Sequence, residues 1–153
     1  MSAKSVLAVD LGAESGRVIQ ASLTDDGIAL EDMHRFSNTP VYAGSTLNWD
    51  VLRLWHNIQK GIALAGDTPI SIGVDTWGVD FALLDKHGAL LSNPVHYRDQ
   101  RNDGMMDWVF ERMPRREIFE QTGIQFMQIN GLYGLAAMAK AQSPILDIAD
   151  TLL

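Results

Sequence analysis

Residues 10–17 of the chain, DLGAESGR, combine two carboxylates, two glycines, a hydroxyl and a cation. Gly12 and Gly16 permit positive φ and close approach of a ligand to the backbone, and the amides of residues 13–16 can form an anion-binding nest. Asp10 would repel a phosphate unless a cation such as Mg²⁺ lay between them, held through water. The pattern predicts a nucleotide-phosphate site, with an ordinary hairpin turn and a solvated Asp10 as the alternative. Neither a Walker loop nor a GxGxxG motif is present.

A second cluster, SIGVDTWGVDF at residues 71–81, places an indole and a glycine between two aspartates, Asp75 and Asp80. The face of Trp77 suits the apolar C–H surface of a sugar, and carboxylates accept hydrogen bonds from its hydroxyls. The alternative is a β-hairpin with Gly78 at the turn and Trp77 in the core.

A third cluster, HYRDQRND at residues 96–103, is polar and precedes a predicted helix. It suits a polar wall over a substrate hydroxyl. The alternative is two ion pairs, Arg98 with Asp99 and Arg101 with Asp103, that cap the helix. The histidines lack metal-ligand spacing; they are His34, His56, His87 and His96.

The elements that must position these clusters begin with three strands. SVLAVDL, RVIQASL and ALEDMHRF predict a β-meander, with a hairpin turn at Asp25-Asp26-Gly27. Residues 38–46 are predicted as loop. Asp50 can cap a helix whose apolar face repeats at helical spacing, with a break at residues 66–69; the face comprises Val51, Leu54, Trp55, Ile58 and Ile62. PISIGVD then predicts a buried strand.

The rest of the chain is predicted to be mainly helical. VDFALLD is a candidate strand followed by a turn at residues 86–88, and helices are predicted in MMDWVFERM, PRREIFEQ, LYGLAAMAKA and PILDIAD. Pro114 suits a first helical turn, and Gly123 a helix end. Thr151-Leu152-Leu153 resembles the start of another buried strand, so we expect a piece of a longer protein; alternatively, the terminal leucines pack on the core.

Composition narrows the classes of function. The chain has 153 residues, of which 46% are hydrophobic, as in a globular domain. The lack of cysteine excludes disulfides and fits a cytoplasmic protein. A formal net charge of −7 without a basic cluster makes nucleic acid an unexpected partner. Neither a secretory signal in residues 1–7 nor a membrane segment is predicted.

Six segments together resemble the FGGY carbohydrate kinases of the actin, Hsp70 and hexokinase superfamily. The D-x-G-x-x-S-x-R spacing from Asp10 to Arg17 is similar to the first phosphate loop of that family. The segments span nearly the whole chain and are AVDLGAESGRV, HRF, NWD, SIGVDTWGVDFALLD, YRDQR and TGIQFMQINGLYGL.

The resemblance implies an α/β, ribonuclease H-like domain over residues 1–153, with a mixed β-sheet and flanking helices. It also implies an ATP-dependent sugar kinase that uses Mg²⁺ near Asp10. The residues implied on the ATP phosphates are Ala13, Glu14, Ser15, Gly16 and Arg17. Those implied on the sugar are Trp77, Gly78 and Asp80.

The resemblance also implies what the chain lacks. No stretch matches the catalytic aspartate of the family, so we expect this general base to lie beyond Leu153. The adenine-binding half is likewise unmatched. We therefore expect the chain to be truncated, to lack the C-terminal ATP-binding domain as a partner, and to be inactive by itself.

Several functions remain open at this point. The expected acceptor is L-rhamnulose, with L-fuculose and L-xylulose as alternatives. A non-catalytic sugar- or nucleotide-binding module is the competing function, and an actin-like regulatory protein is a third.

Overall fold

A computed structural model describes residues 4–66 and 69–153. The chain divides into two compact units. The first comprises the described residues of 1–39 and 50–78, and the second comprises residues 40–49 and 79–153. Each unit has its own hydrophobic cluster. Part of the segment tested for a secretory signal and part of the predicted break, residues 1–3 and 67–68, lie outside the described ranges.

The strands and helices are numbered in chain order. The strands are β1 (Ser5–Leu11), β2 (Ser15–Thr24), β3 (Gly27–Ser37), β4 (Val41–Ala43), β5 (Thr46–Asn48), β6 (Pro69–Asp75), β7 (Leu83–Leu84) and β8 (Thr151–Leu152). The helices are α1 (Val51–Ala65), α2 (Met105–Phe110), α3 (Arg115–Thr122), α4 (Gly131–Lys140) and α5 (Ile145–Ile148).

The first unit is a four-stranded mixed sheet with α1 on one face. Its strand order is β3-β2-β1-β6; β1, β2 and β3 pair antiparallel as predicted, and β6 runs parallel to β1. Leu7, Val9 and Val18 form its buried cluster, against which Ile58 and Ile62 of α1 pack. This packing fixes the ends of β1 and β2, between which the predicted phosphate loop lies.

Helix α1 forms where its sequence predicts. The Asp50 carboxylate accepts a hydrogen bond from the Arg53 N–H, and Gly66 ends the helix with a φ of 67°. Trp55, predicted on the apolar face, is 55% exposed. Trp55 lies at the side of the apolar face of α1. The helix contacts the sheet through a narrower face than the one predicted from sequence, so this side chain stays exposed.

The prediction that PISIGVD is buried is wrong. The strand forms, but Ile70, Ile72 and Val74 are 67%, 50% and 65% exposed. β6 is an edge strand of the sheet, and α1 packs mainly on β2 and β3. The apolar residues of PISIGVD therefore predicted the strand correctly but did not predict whether other residues cover it.

The second unit contains a helical cluster and two small hairpins. Met105, Val109, Ile118 and Tyr133 form the buried centre between α2, α3 and α4. Where a loop was predicted, β4 and β5 form a hairpin through Gly44, whose φ is 62°.

The last strand of the second unit is exposed. Of the strand predicted over VDFALLD, only β7 forms, and it pairs with β8. Leu153 extends this pairing, because its N–H donates to the Ala82 carbonyl and its carbonyl accepts from the Ala82 N–H, each at 2.9 Å.

The predicted burial of this C-terminal segment is wrong. Leu152 and Leu153 are 52% and 67% exposed, so the alternative that the terminal leucines pack on the core is wrong as well. Backbone hydrogen bonds with β7 and Ala82 hold the segment in place, while its side chains remain uncovered. Within the described residues, no helix has the length and apolar character to cross a lipid bilayer.

Candidate functional site

The predicted phosphate loop is a tight connection between β1 and β2. The Gly12 N–H donates to the Ser15 carbonyl at 2.9 Å. Gly12 and Gly16 permit a positive φ, but neither is among the described residues that adopt one. Gly16 lies inside β2, where an added Cβ would be 2.4 Å from the Phe36 ring. The glycine is required by close packing instead of by a turn.

Asn38 stabilises this loop through two hydrogen bonds to its carbonyl groups. The side chain of this buried residue donates from Nδ2 to the Gly12 carbonyl at 2.9 Å, and its N–H donates to the Glu14 carbonyl at 2.9 Å. Within the described part of the chain, the N–H groups of Ala13 and Glu14 donate no hydrogen bond. The N–H groups of Ala13 and Glu14 are therefore available as donors, while Asn38 fixes the carbonyls of Gly12 and Glu14 by hydrogen bonds. Such an arrangement of backbone N–H groups suits an anion. The sequence interpretation missed Asn38 because it fell in a predicted loop.

Asp10 and Arg17 are cross-strand neighbours and form an ion pair. Arg17 donates to Asp10 Oδ2 from Nε at 2.8 Å and from its terminal nitrogen at 2.7 Å. Both side chains are about 40% exposed, so the pair contributes at most about 1 kcal/mol to stability. The pair keeps a carboxylate beside the phosphate loop without leaving its charge uncompensated.

The parallel register places Asp75 directly beside Asp10, at the carboxyl ends of β6 and β1. Carboxylate oxygens suit Mg²⁺, which usually keeps several waters and binds phosphate oxygens as well. Within residues 4–66 and 69–153, no three acidic or histidine side chains form a metal-binding group by themselves. The residues present therefore fit a Mg²⁺ ion held largely by water and phosphate.

Trp77 and Gly78 follow β6 in an irregular segment and not in the alternative hairpin. Trp77 is half-buried and Gly78 is exposed. An added Cβ at Gly78 would meet no atom of the described residues within 4 Å. Open space at this glycine leaves its backbone accessible to a ligand.

Asp80, in the second unit, is fixed by a buried tryptophan. Trp49 is 2% exposed, and its Nε1 donates to Asp80 Oδ2 at 2.6 Å. The Trp49 ring lies against His96 at 4.1 Å between centroids, and His96 lies against Tyr97 at 4.4 Å. Asp80 was predicted from sequence. Trp49 was noted only within the family segment NWD, and His96 only as part of the polar cluster HYRDQRND and as a histidine without metal-ligand spacing.

His96 is a neutral member of this aromatic row. Its Nδ1 accepts a hydrogen bond from the Arg98 N–H at 3.0 Å. Burial lowers the pKa of His96, and the nearby Asp80 carboxylate opposes this effect only in part. A neutral ring that accepts through Nδ1 carries its proton on Nε2.

The ion pairs predicted within HYRDQRND are not found in the described part of the chain, and the polar wall over a substrate hydroxyl stays a prediction. The buried Asp99 carboxylate accepts from the Leu47 N–H at 2.6 Å and from the Arg101 N–H at 2.9 Å, which starts a short 3₁₀ turn. The predicted ion pairs of Arg98 and Arg101 are absent among the described residues. Asp103 instead accepts from Gln128 Nε2 at 2.6 Å. Asp99 thus acts as a buried cap.

Asp99 and Arg101 also line a cavity of about 210 Å³ in the second unit. The Arg101 guanidinium lies over the Phe81 ring at 5.6 Å, and its buried Nε has no hydrogen-bond partner among residues 4–66 and 69–153. Burial lowers the pKa of Arg101, although a guanidinium remains charged near neutral pH. None of the residues predicted for ATP or sugar lines this cavity.

No family model matches the chain. The family is instead identified by curated relatives with similar sequences. A rhamnulokinase of Pectobacterium atrosepticum is 44% identical over 158 residues, an alignment that covers 100% of this chain and 32% of the relative. A rhamnulokinase of Oceanobacillus iheyensis is 41% identical over 150 residues, with 96% and 32% covered. The chain belongs to the rhamnulokinase family. It spans about a third of the length of the curated rhamnulokinases it matches.

Solved sugar kinases share the fold. Gluconate kinase from Lactobacillus acidophilus superposes with a TM-score of 0.81 at 13% identity, covering 99% of this chain and 31% of that one. Xylulose kinase from Rhodospirillum rubrum gives 0.79 at 20% identity, with 97% and 32% covered. The fold class expected from the resemblance, a ribonuclease H-like domain, is confirmed, as is the resemblance to carbohydrate kinases.

Proposed function

We propose that this chain is the N-terminal part of a cytoplasmic kinase that transfers the γ-phosphate of ATP to L-rhamnulose, giving L-rhamnulose 1-phosphate. The observation that supports this most is the identity of 40–44% to curated rhamnulokinases across nearly the whole chain. A C-terminal ATP-binding domain is the partner that completes the activity. The catalytic aspartate expected beyond Leu153 belongs to this partner and stays a prediction.

The phosphate loop is proposed to hold the nucleotide. The free N–H groups of Ala13 and Glu14 bind phosphate oxygens, while the exposed Glu14 side chain points away from them. Ser15 supplies a hydroxyl and Arg17 a cation, while Gly16 allows the end of the loop to pack closely on Phe36. Asp10 would hold a Mg²⁺ ion through its waters, and the ion would supply charge neutralisation for the phosphate.

The sugar is proposed to lie on Trp77 and Gly78, with Asp80 accepting a hydrogen bond from a hydroxyl. Trp49 keeps one oxygen of the Asp80 carboxylate in place, so less conformational freedom is lost when the sugar binds. The aromatic row behind Trp49 keeps that indole from turning.

The test is a fusion protein in which residues 1–153 replace the matching third of the Pectobacterium atrosepticum rhamnulokinase. We expect ADP release with L-rhamnulose to exceed release with L-fuculose or L-xylulose. The unmodified Pectobacterium enzyme is the positive control, and Asp10→Asn in the fusion is expected to lower kcat. Activity on another ketose would refute the substrate, and a folded fusion that binds ligand without turnover would support the non-catalytic module.

A further inference from the structure

Arg101 has a buried side-chain N–H and makes no side-chain hydrogen bond within residues 4–66 and 69–153. Its Nε is buried without a partner there, and the one hydrogen bond that the residue donates to those residues comes from its backbone N–H. The guanidinium packs instead over the Phe81 ring and against Gly134, where an added Cβ would lie 3.1 Å from Nη2. A guanidinium carries five N–H donors, and a buried donor without an acceptor is costly. This site therefore favours a ligand that supplies acceptor oxygens.

Asp99 lies near this guanidinium without binding it. One Asp99 oxygen accepts from the Leu47 N–H at 2.6 Å, and the other accepts from the backbone N–H of Arg101 at 2.9 Å. Among the ion pairs of the described residues, none joins the Asp99 and Arg101 side chains. Burial lowers the pKa of Arg101, and the Asp99 charge opposes this effect. The guanidinium thus stays charged near neutral pH, while its donors are available to a ligand.

The cavity that Arg101 and Asp99 line has room for a small organic molecule. Its volume is about 210 Å³, whereas a molecule in liquid water occupies ~30 Å³, so it is larger than a single ion needs. The other lining residues are apolar or uncharged and polar, among them Leu83, Val95, Met138, Ser92 and Asn93. Ser92 and Asn93 are exposed and mark a route from solvent into the cavity.

The charges around the cavity select the class of ligand. A carboxylate offers two oxygens that match the fork of a guanidinium, and such charge-assisted hydrogen bonds are roughly twice as strong as neutral ones. A phosphate dianion is disfavoured, because the Asp99 carboxylate lines the same cavity and like charges repel. A single negative charge on an apolar body suits both the guanidinium and the apolar walls.

We propose that this cavity binds a small organic monocarboxylate, whose carboxylate pairs with the Arg101 guanidinium and whose apolar body contacts Leu83, Val95 and Met138. This inference goes beyond the proposed function, since none of the residues assigned to ATP or to the sugar lines the cavity. It does not depend on which sugar the completed kinase phosphorylates.

Benzoate is the probe, and benzamide is its neutral counterpart of nearly the same shape. Isothermal titration calorimetry of residues 1–153 at constant ionic strength measures the dissociation constant of each compound. We expect saturable 1:1 binding of benzoate and at least ~10-fold weaker binding of benzamide, because the amide lacks the charge-assisted pair. Inorganic phosphate is also expected to bind more weakly than benzoate.

Arg101→Met removes the charge and keeps an unbranched side chain over Phe81. It is expected to weaken benzoate binding at least ~10-fold. Arg98→Met is the matched control, because the Arg98 guanidinium also lies over an aromatic ring, that of Tyr97 at 5.2 Å, but does not line the cavity. It should change the dissociation constant less than ~2-fold. Circular dichroism checks that each variant folds, and the comparison of benzoate with benzamide needs only the wild-type chain.

Three results would overturn the proposal: no saturable binding of benzoate, equal affinities for benzoate and benzamide, or equal losses in Arg101→Met and Arg98→Met. The fusion protein tests for a competing occupant. Benzoate binding to the isolated chain but not to the folded fusion would show that the remaining polypeptide fills the cavity, and would also overturn the proposal. Binding by both proteins with no turnover of any sugar would refute the proposed function and support the carboxylate site.

Discussion

At the scale of single residues, the phosphate loop depends on a side chain outside it. Asn38 lies 26 residues from Gly12 in sequence, yet its amide satisfies the Gly12 carbonyl. A loop whose carbonyls are engaged presents its N–H groups in one arrangement, which is what an anion site requires.

Asn38→Ala is expected to lower the free energy of unfolding by about 1–3 kcal/mol, because it leaves the Gly12 carbonyl with an unmade hydrogen bond. Urea unfolding of the isolated chain measures this. Ser37→Ala, at an exposed neighbouring position, is the control and should change stability by less than about 0.5 kcal/mol. Equal losses in the two variants would show that Asn38 does not hold the loop.

His96 predicts a dependence of stability on pH. Its pKa is lowered in the folded chain from an ordinary value of 6.5, so the unfolded chain binds more protons below that value. Stability contributed by neutral His96 is therefore present above about pH 6.5 and decreases as the pH falls toward the folded-state pKa.

Urea unfolding at about pH 7.5 and about pH 5.5 measures this effect. His96→Gln should lose less stability over this range than the wild type. His87→Gln, a change at an exposed histidine, should lose as much as the wild type. An identical loss in all three proteins would rule out His96 as the source.

At the scale of elements, the contact of α1 with the sheet is set by one glycine. Gly61 is buried, and a Cβ there would lie 2.4 Å from Cγ2 of Val18. Glycine in a helix interior normally costs about 1 kcal/mol relative to alanine. Close approach of the helix to β2 explains why it is present here.

Gly61→Ala should therefore destabilise the chain by about 1–3 kcal/mol through overpacking, although helix propensity alone predicts stabilisation. Thermal or urea unfolding measures the change. In the double variant with Val18→Ala, the smaller side chain makes room, and the two effects should be markedly non-additive. Additive losses, or a stabilised Gly61→Ala protein, would contradict the close packing.

At the scale of the whole molecule, the chain matches a third of the kinases it resembles. Phosphoryl transfer needs a positioned nucleophile and charge stabilisation around the transferring group. The chain carries the proposed phosphate loop and part of the proposed sugar site, while its sequence matches no catalytic-aspartate motif of the family. We therefore predict that the proposed activity needs the C-terminal ATP-binding domain.

We expect residues 1–153 alone to release no ADP from ATP in the presence of L-rhamnulose. A coupled ADP assay tests this, with the fusion protein as the active reference. Steady turnover by the isolated chain would refute the expectation, provided that Asp10→Asn abolishes it; turnover that survives this change would come from a contaminating kinase.

Most elements of the fold were predictable because their signals are local. The meander, the Asp50 cap, the Gly123 helix end and the helices near the C-terminus all follow from neighbouring residues. The β4–β5 hairpin was missed because its strands are only three residues long. The predicted burial of β6 and of Leu153 was wrong. A run of apolar residues shows that a strand is able to pack against a core, but it does not show whether other elements cover that strand.

By itself, the sequence determined the family and the order of most elements, because ordered motifs and local periodicity encode these. The phosphate-binding role of the loop between β1 and β2 stays a prediction. Only the tertiary structure revealed the partners across 26 and 31 residues, Asn38 with Gly12 and Trp49 with Asp80. It also revealed the bare edge of β6. Such contacts depend on how segments that are distant in sequence pack together. The type of a residue does not predict which distant group it will contact.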